Sequence, residues 1–247
     1  MLISRQISRL LPPRNATAVK ALLACGIAAS IVYVAADVIG SLRYSGYSYR
    51  DQAFSELTAQ GSPVRTLMIA TNAIPYTLLV LGFAVGVWLS SHQTRVAHIT
   101  GGLIAGYALV GLSGAVAFPM ASRGTDGTLR NTLHIPATAL MSLCVLAAMI
   151  VGARLFGARF RWYSYATVVT LLLFGFLTSL HGNRVANNES TPWMGIEERV
   201  NIYATMLWFA VLAAGLLRSQ GVELGRRSRV KIMEFGRASN GRPKLPA

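Results

Sequence analysis

Residues 21–42 read ALLACGIAASIVYVAADVIGSL, an apolar run in which Asp37 is the only charged side chain. At a rise of about 1.5 Å per residue, a helix of this length covers the roughly 30 Å hydrocarbon core of a bilayer. Similar runs occupy residues 66–90, 96–118, 133–156, 163–180 and 201–217. The sequence therefore predicts an all-α, polytopic membrane protein built as a six-transmembrane-helix bundle.

The composition leaves room for one membrane domain. The chain has 247 residues, of which 53% are hydrophobic and 13% are charged, so little remains for a soluble domain after six spans are subtracted. We expect a basic N-terminal segment (residues 1–20), the six-helix domain (residues 21–217) and a basic, disordered tail (residues 218–247). A net charge of +14 would suggest nucleic acid in a soluble protein, but here most basic residues flank the spans. Membrane orientation explains them without a nucleic-acid partner.

Basic residues are divided unequally between the two faces of the predicted bundle. The terminal segments and the two short loops hold 16 of the 23 Lys and Arg residues, whereas the three long loops hold the other 7. Because cytoplasmic segments are enriched in Lys and Arg, this asymmetry predicts that the N-terminus and the C-terminus are both cytoplasmic. The basic tail is expected to contact anionic lipid headgroups.

Polar side chains gather at the opposite, outer face. Helical rise places Asp37 and Asn72 in the outer half of the bilayer, and the long outer loops carry further charges and aromatic rings. An ionised carboxylate is costly within a span, so we expect Asp37 to have a polar or basic partner, with Arg184, His181 and Asn72 as candidates. The candidate ligand-binding residues at this face are Asp37, Asn72, His134, His181, Arg184 and Glu197.

Each candidate also has a purely structural interpretation. An aspartate near the interface can reach water, a buried asparagine often joins helices, and an interfacial histidine is usually satisfied by one hydrogen bond. The acidic residues 197 and 198 also suit the first turn of any helix, because the helix dipole favours negative charge there.

Short motifs in the chain resemble one family. The pair Ser55-Glu56 lies in the first long loop, Phe118-Pro119 ends the third span, and the run GIEERV (residues 195–200) leads into the sixth. With His134 opening the fourth span, and with six spans over residues 21–217, the chain resembles the multi-pass membrane proteins of domain of unknown function 998. That family is mostly bacterial, so the resemblance implies a bacterial plasma (inner) membrane location. It implies no substrate, because the family has no assigned reaction.

Three functions are compatible with the sequence. The leading hypothesis is a protein without a cofactor whose outer polar pocket binds a lipid headgroup or another small polar ligand. The first alternative is a metal-dependent intramembrane hydrolase acting on lipid, in which the two histidines and an acidic residue hold a catalytic zinc. The second alternative is a small-solute transporter. The sequence leaves open whether the protein is an enzyme and which residues would be catalytic.

The zinc hypothesis requires side chains from separate segments to lie close together. Its ligands would be His134, His181, Asp37 and Glu56, which come from separate segments and must be assembled by tertiary packing. The fourth and fifth helices are joined by a short connection, so they should be antiparallel neighbours. We therefore expect His134 and His181 to approach one another at the outer face.

Overall fold

The computed structural model describes residues 16–90, 95–125 and 129–240. Residues 1–15 and 241–247, which include most of the predicted N-terminal segment and the end of the tail, lie outside the described residues. The helices are α1 (Ala16–Arg43), α2 (Arg65–Leu89), α3 (Arg95–Val116), α4 (Leu129–Gly152), α5 (Ala158–Ser179), α6 (Gly182–Ala186) and α7 (Met194–Asn240). A 3-10 turn covers Phe54–Thr58, and α2 contains a π-helical turn at Ile69–Ala73.

Six of these helices are long and apolar enough to cross a membrane. They are α1 to α5 and the first part of α7, Met194–Gln220, while α6 is a short helix in a loop. The prediction of an all-α bundle with six spans is confirmed, and within the described residues there is no strand. The chain is therefore a multi-pass membrane protein.

The last two spanning helices are longer than predicted. Helix α5 begins at Ala158 rather than residue 163, and α7 begins at Met194 rather than residue 201. The predicted boundaries lay too far inside the helices, because charged residues at the helix ends were assigned to the loops. Residues 218–240, for which the sequence predicts a disordered tail, continue α7 to Asn240. This segment contains no proline, and extending an existing helix requires no new nucleation step.

The six spanning helices form a ring in which each packs on its neighbours in sequence, and α7 closes the ring against α1. Phe83 and Phe209 pack at the centre with ring centroids 5.7 Å apart. Gly86 allows α1 and α2 to approach closely, because a Cβ there would lie 2.8 Å from the backbone nitrogen of Leu23. The contact between α4 and α5 is the least extensive of the sequential pairs.

The long connections meet at one end of the bundle. We call residues 44–64, 117–125 and 181–193 the loop cap. Backbone hydrogen bonds join its three parts: Gln60 N to Met120 O at 2.9 Å, and Gly124 N to Val185 O at 3.2 Å. The short connection between α4 and α5, residues 153–157, lies at the opposite end, because successive spans alternate in direction.

Candidate functional site

Asp37, near the end of α1, forms a buried ion pair with Arg199 of α7. Arg199 Nη2 lies 2.8 Å from Asp37 Oδ1, and Arg199 Nε lies 2.9 Å from Asp37 Oδ2. The side chains of Arg199 and Asp37 are 2% and 0% exposed, and a planar guanidinium matches a carboxylate in this bidentate geometry. The expectation that Asp37 has a basic or polar partner is confirmed. That partner is not one of the predicted candidates, Arg184, His181 and Asn72.

Three tyrosines surround this ion pair. Tyr203 donates a hydrogen bond to Asp37 Oδ2 over 2.5 Å, and Tyr49 donates to the same oxygen over 3.2 Å. Tyr47 accepts from Arg199 Nη2 at 2.9 Å, and the ring of Tyr49 lies 3.6 Å from Arg199 Cζ. Burial raises the pKa of Tyr47 above its usual range, although the positive charge of Arg199 acts in the opposite direction. The ion pair is therefore satisfied by neutral groups of the protein itself.

The same guanidinium fixes the first long loop to α7. Arg199 Nη1 donates to the backbone oxygens of Tyr49, Gln52 and Gly195 at 2.9, 3.2 and 3.1 Å. Gly195 permits the close approach, because a Cβ there would lie 2.4 Å from Gln52 O and 2.5 Å from Tyr49 O. We call Asp37, Gly195 and Arg199 the clamp. Its contacts hold the loop cap on the helices.

Asp51 connects the first long loop to the third. Its carboxylate pairs with Arg50 at 2.8 Å and accepts the backbone N–H of Trp193 at 3.1 Å. The hydrogen bonds from Arg50 and from the Trp193 backbone lower the pKa of Asp51 to about 2. The Asp51 carboxylate is therefore ionised at neutral pH, and it adds negative charge to this side of the loop cap.

Arg123 of the second loop joins all three parts of the loop cap. Its Nε and Nη2 atoms lie 2.8 and 2.7 Å from the two carboxylate oxygens of Glu56 in the first loop. Nη2 also donates to Thr191 Oγ1 at 2.7 Å, and Nη1 donates to the backbone oxygen of Glu189 at 3.0 Å, both in the third loop. One side chain therefore cross-links three separate segments.

A polar cavity of about 290 Å³ lies between these loops. A second cavity of about 220 Å³ shares Gln52, Arg123 and Asn188 with the first. The larger cavity is lined by Tyr44, Gln52, Glu56, Ala59, Gln60, Ser62, Ala121, Ser122, Arg123 and Asn188. Both cavities depend on the loop positions that Arg123 and the clamp maintain.

Substituting alanine for Arg123 should loosen the loop cap while leaving the helices intact. The change removes four hydrogen bonds and leaves the Glu56 side chain, only 7% exposed, without its counter-charge. We expect the free energy of unfolding to fall by about 2 kcal/mol. Amide hydrogen exchange should accelerate in residues 51–58 and 188–191 but not in the centre of α2 or α3. Uniform acceleration along the whole chain would contradict a local role for Arg123.

The two predicted site histidines have different partners. His134 Nδ1 lies 2.9 Å from the backbone oxygen of Phe118, at the end of the third span. His181 Nε2 lies 3.1 Å from a carboxylate oxygen of Glu197. These contacts join each histidine to a neighbouring segment rather than to a shared centre.

The predicted zinc ligands are not brought together. Among the residues that the structure describes, no three His, Cys, Asp or Glu side chains are placed to hold one metal ion. The two acidic candidates each have an arginine partner: Asp37 is paired with Arg199, and Glu56 with Arg123. Both carboxylates that the zinc hypothesis requires therefore have a guanidinium partner in this structure.

The other predicted site residues also lie away from the cavities. Asn72 is buried in the π-helical turn of α2, and within the described residues its Nδ2 atom has no hydrogen-bond partner. Arg184 is exposed on α6. None of the six predicted ligand-binding residues lines either cavity, whereas Glu56, predicted only as a metal ligand, lines the larger one.

Sequence reasoning missed the two arginines that organise the site. Arg199 was not among the predicted partners of Asp37, although it is the lone basic residue within residues 194–217 and its helix begins at the face where Asp37 lies. That matching depth was the available signal for pairing. Arg123 lies in an irregular loop, where no helical periodicity indicates which segments it joins.

The comparison with protein families matches residues 27–215 to one family model, described as Protein of unknown function (DUF998). The chain belongs to this family. The match covers the loop cap and parts of all six membrane-crossing helices, from residue 27 in α1 to residue 215 in α7. No curated protein and no solved structure matches the chain.

Proposed function

We propose that this integral membrane protein is a binding protein that takes a lipid headgroup or another small polar ligand in the larger cavity of the loop cap. The observation that carries the proposal is the construction of this cavity. Its walls come from three loops whose positions are held by Arg123 and by the clamp. Small-ligand sites are usually pre-formed concave pockets in which a few placed polar groups fix the orientation of the ligand.

The packing of α4 and α5 favours a lipid as the source of that ligand. Within residues 132–144 of α4 and 172–179 of α5 no side chain is buried, whereas both helices bury residues in their other halves. These loosely packed halves adjoin the loop cap, since its second part leads into α4 and its third part follows α5. Acyl chains could therefore lie beside α4 and α5 while the headgroup occupies the cavity.

We also propose that the loop cap faces the extracytoplasmic side of a bacterial plasma membrane. The support is the distribution of basic residues, 16 on the side of the termini and 7 on the side of the long loops. In this orientation the basic C-terminal segment would meet the anionic lipids of the cytoplasmic leaflet.

Native mass spectrometry of protein extracted from its own membrane tests the binding function. We expect the wild type to retain one lipid or small polar molecule per chain, and we expect Ser122→Trp to lose it because the indole would fill the cavity. Ser45→Trp is the matched control, because Ser45 is exposed in the same loop cap but does not line the cavity. Equal retention in both variants, or no bound molecule in the wild type, would refute the proposal.

A further inference from the structure

We infer that the larger cavity recognises an uncharged, polyhydroxylated group, which is a sugar either carried as the headgroup of a glycolipid or free in solution. The inference rests on the proposed binding function and adds the chemical class of the ligand. It follows from a comparison of two sets of polar groups in the cavity wall: those that already have hydrogen-bond partners within the protein, and those that can still bond to a ligand.

The charged groups of the wall are occupied. Four of the five N–H donors of Arg123 are directed at Glu56, Thr191 and the Glu189 backbone. Glu56 accepts two bonds from Arg123, one from Gln52 Nε2 at 2.9 Å and one from the Ala53 backbone N–H at 2.9 Å. Neither charge is free to pair with a ligand of opposite sign.

The remaining charges disfavour an anion. The adjoining smaller cavity is bordered by Asp51 and Glu189, and Asp51 is ionised at neutral pH. Among the residues that the structure describes, Glu56 is paired with Arg123 and Asp51 with Arg50, whereas the carboxylate of Glu189 has no arginine partner, so the walls of the two cavities carry a net negative charge. A phosphate or carboxylate ligand would meet net repulsion in this setting.

The available groups are neutral. Within the described residues, the hydroxyl of Tyr44 and the side-chain amides of Gln60 and Asn188 have no hydrogen-bond partner, and all three line the cavity. Ser62 and Ser122 each use their proton on a backbone oxygen, so their lone pairs can still accept. Sugar hydroxyls, which both donate and accept, match this mixture of neutral donors and acceptors.

The aromatic ring of Tyr44 and the volume of the cavity also fit a sugar. Tyr44 lies on the wall and is stacked on Tyr47 with centroids 5.6 Å apart, and Tyr47 is itself fixed by Arg199. A supported aromatic ring offers an apolar surface for the C–H face of a sugar ring. A volume of about 290 Å³ lies near the lower end of the roughly 300–1,000 Å³ range of ligand pockets, which suits a single ring.

The test compares ligands in nanodiscs of phosphatidylcholine. Separate preparations contain glucosyl diacylglycerol or phosphatidylglycerol, and further titrations add methyl glucoside, choline or inorganic phosphate to the protein. We expect specific binding of the glycolipid or of methyl glucoside, and the one that binds identifies the source of the sugar. Gln60→Leu and Asn188→Gly should each weaken binding about tenfold, the effect of one lost hydrogen bond to a ligand. Glycine suits position 188, where φ is +55°.

Asn187→Gly is the matched control, since this exposed neighbour does not line the cavity, and it should bind as the wild type does. The sugar assignment would be overturned if phosphatidylglycerol, phosphate or choline bound more tightly than either sugar probe and depended on Gln60 and Asn188 in the same way. The proposed binding function would then still stand. Failure of every probe to bind, together with the absence of any retained molecule in the extracted protein, would overturn both.

Discussion

Replacing Arg199 with alanine should cause one of the largest losses of stability available in this chain. The substitution leaves the buried carboxyl group of Asp37 without its counter-charge, and it removes the bonds that hold the first loop to α7. Breaking one partner of a buried ion pair typically costs about 3–5 kcal/mol. For a domain of this size we expect the thermal midpoint in detergent to fall by roughly 10 °C.

Two comparison variants separate this effect from a general loss of positive charge. Arg159→Ala removes an exposed arginine at the other end of the bundle and should leave the midpoint almost unchanged. The double variant Asp37→Ala/Arg199→Ala should be more stable than Arg199→Ala alone, because the uncompensated carboxylate is gone. A double variant no more stable than the single one would show that the loss does not come from the unpaired charge.

A methyl group added at Gly195 should be almost as damaging. An alanine Cβ would lie 2.4 Å from Gln52 O, 2.5 Å from Tyr49 O and 2.9 Å from Arg50 O, all of them backbone atoms. Backbone cannot move aside as a flexible side chain can, so the first loop must shift away from α7. We expect Gly195→Ala to lower the free energy of unfolding by about 3 kcal/mol and to abolish ligand retention.

Gly182→Ala provides the matched control for this clash, because nothing lies within 4 Å of a Cβ built at Gly182. Its thermal midpoint and its ligand retention should equal those of the wild type. Equal behaviour of Gly195→Ala and Gly182→Ala would contradict the close contact between the first loop and α7.

The lengths of the hydrophobic runs predicted the helical bundle well, because each segment that crosses a bilayer must have a minimum length and few charged residues. The same criterion failed at the ends of α5 and α7. Arg159 and Arg161 lie inside α5, and residues 197–199 lie inside α7. Helix ends can extend into the headgroup region, where charges are tolerated, so charge does not locate the end of a membrane helix.

The candidate site was only partly predictable. The cost of a carboxylate in a span correctly predicted that Asp37 would have a partner, but depth alone did not select Arg199 from the other polar residues. The cavity depends on Arg123, whose contacts join residues 66 to 68 positions apart in sequence. Such pairings depend on loop conformation, which has no periodic signal in the sequence. The two predicted site histidines each contact a neighbouring segment, His134 at Phe118 and His181 at Glu197.

The central claim is that the three loops enclose a cavity that holds a ligand. Its most direct test is an experimental structure of the protein in nanodiscs prepared from its own membrane. We expect density for a bound molecule in the cavity bounded by Tyr44, Gln60, Arg123 and Asn188, with the Arg123–Glu56 ion pair intact beside it. A structure with the loops in the same positions and only water in that cavity would contradict the claim.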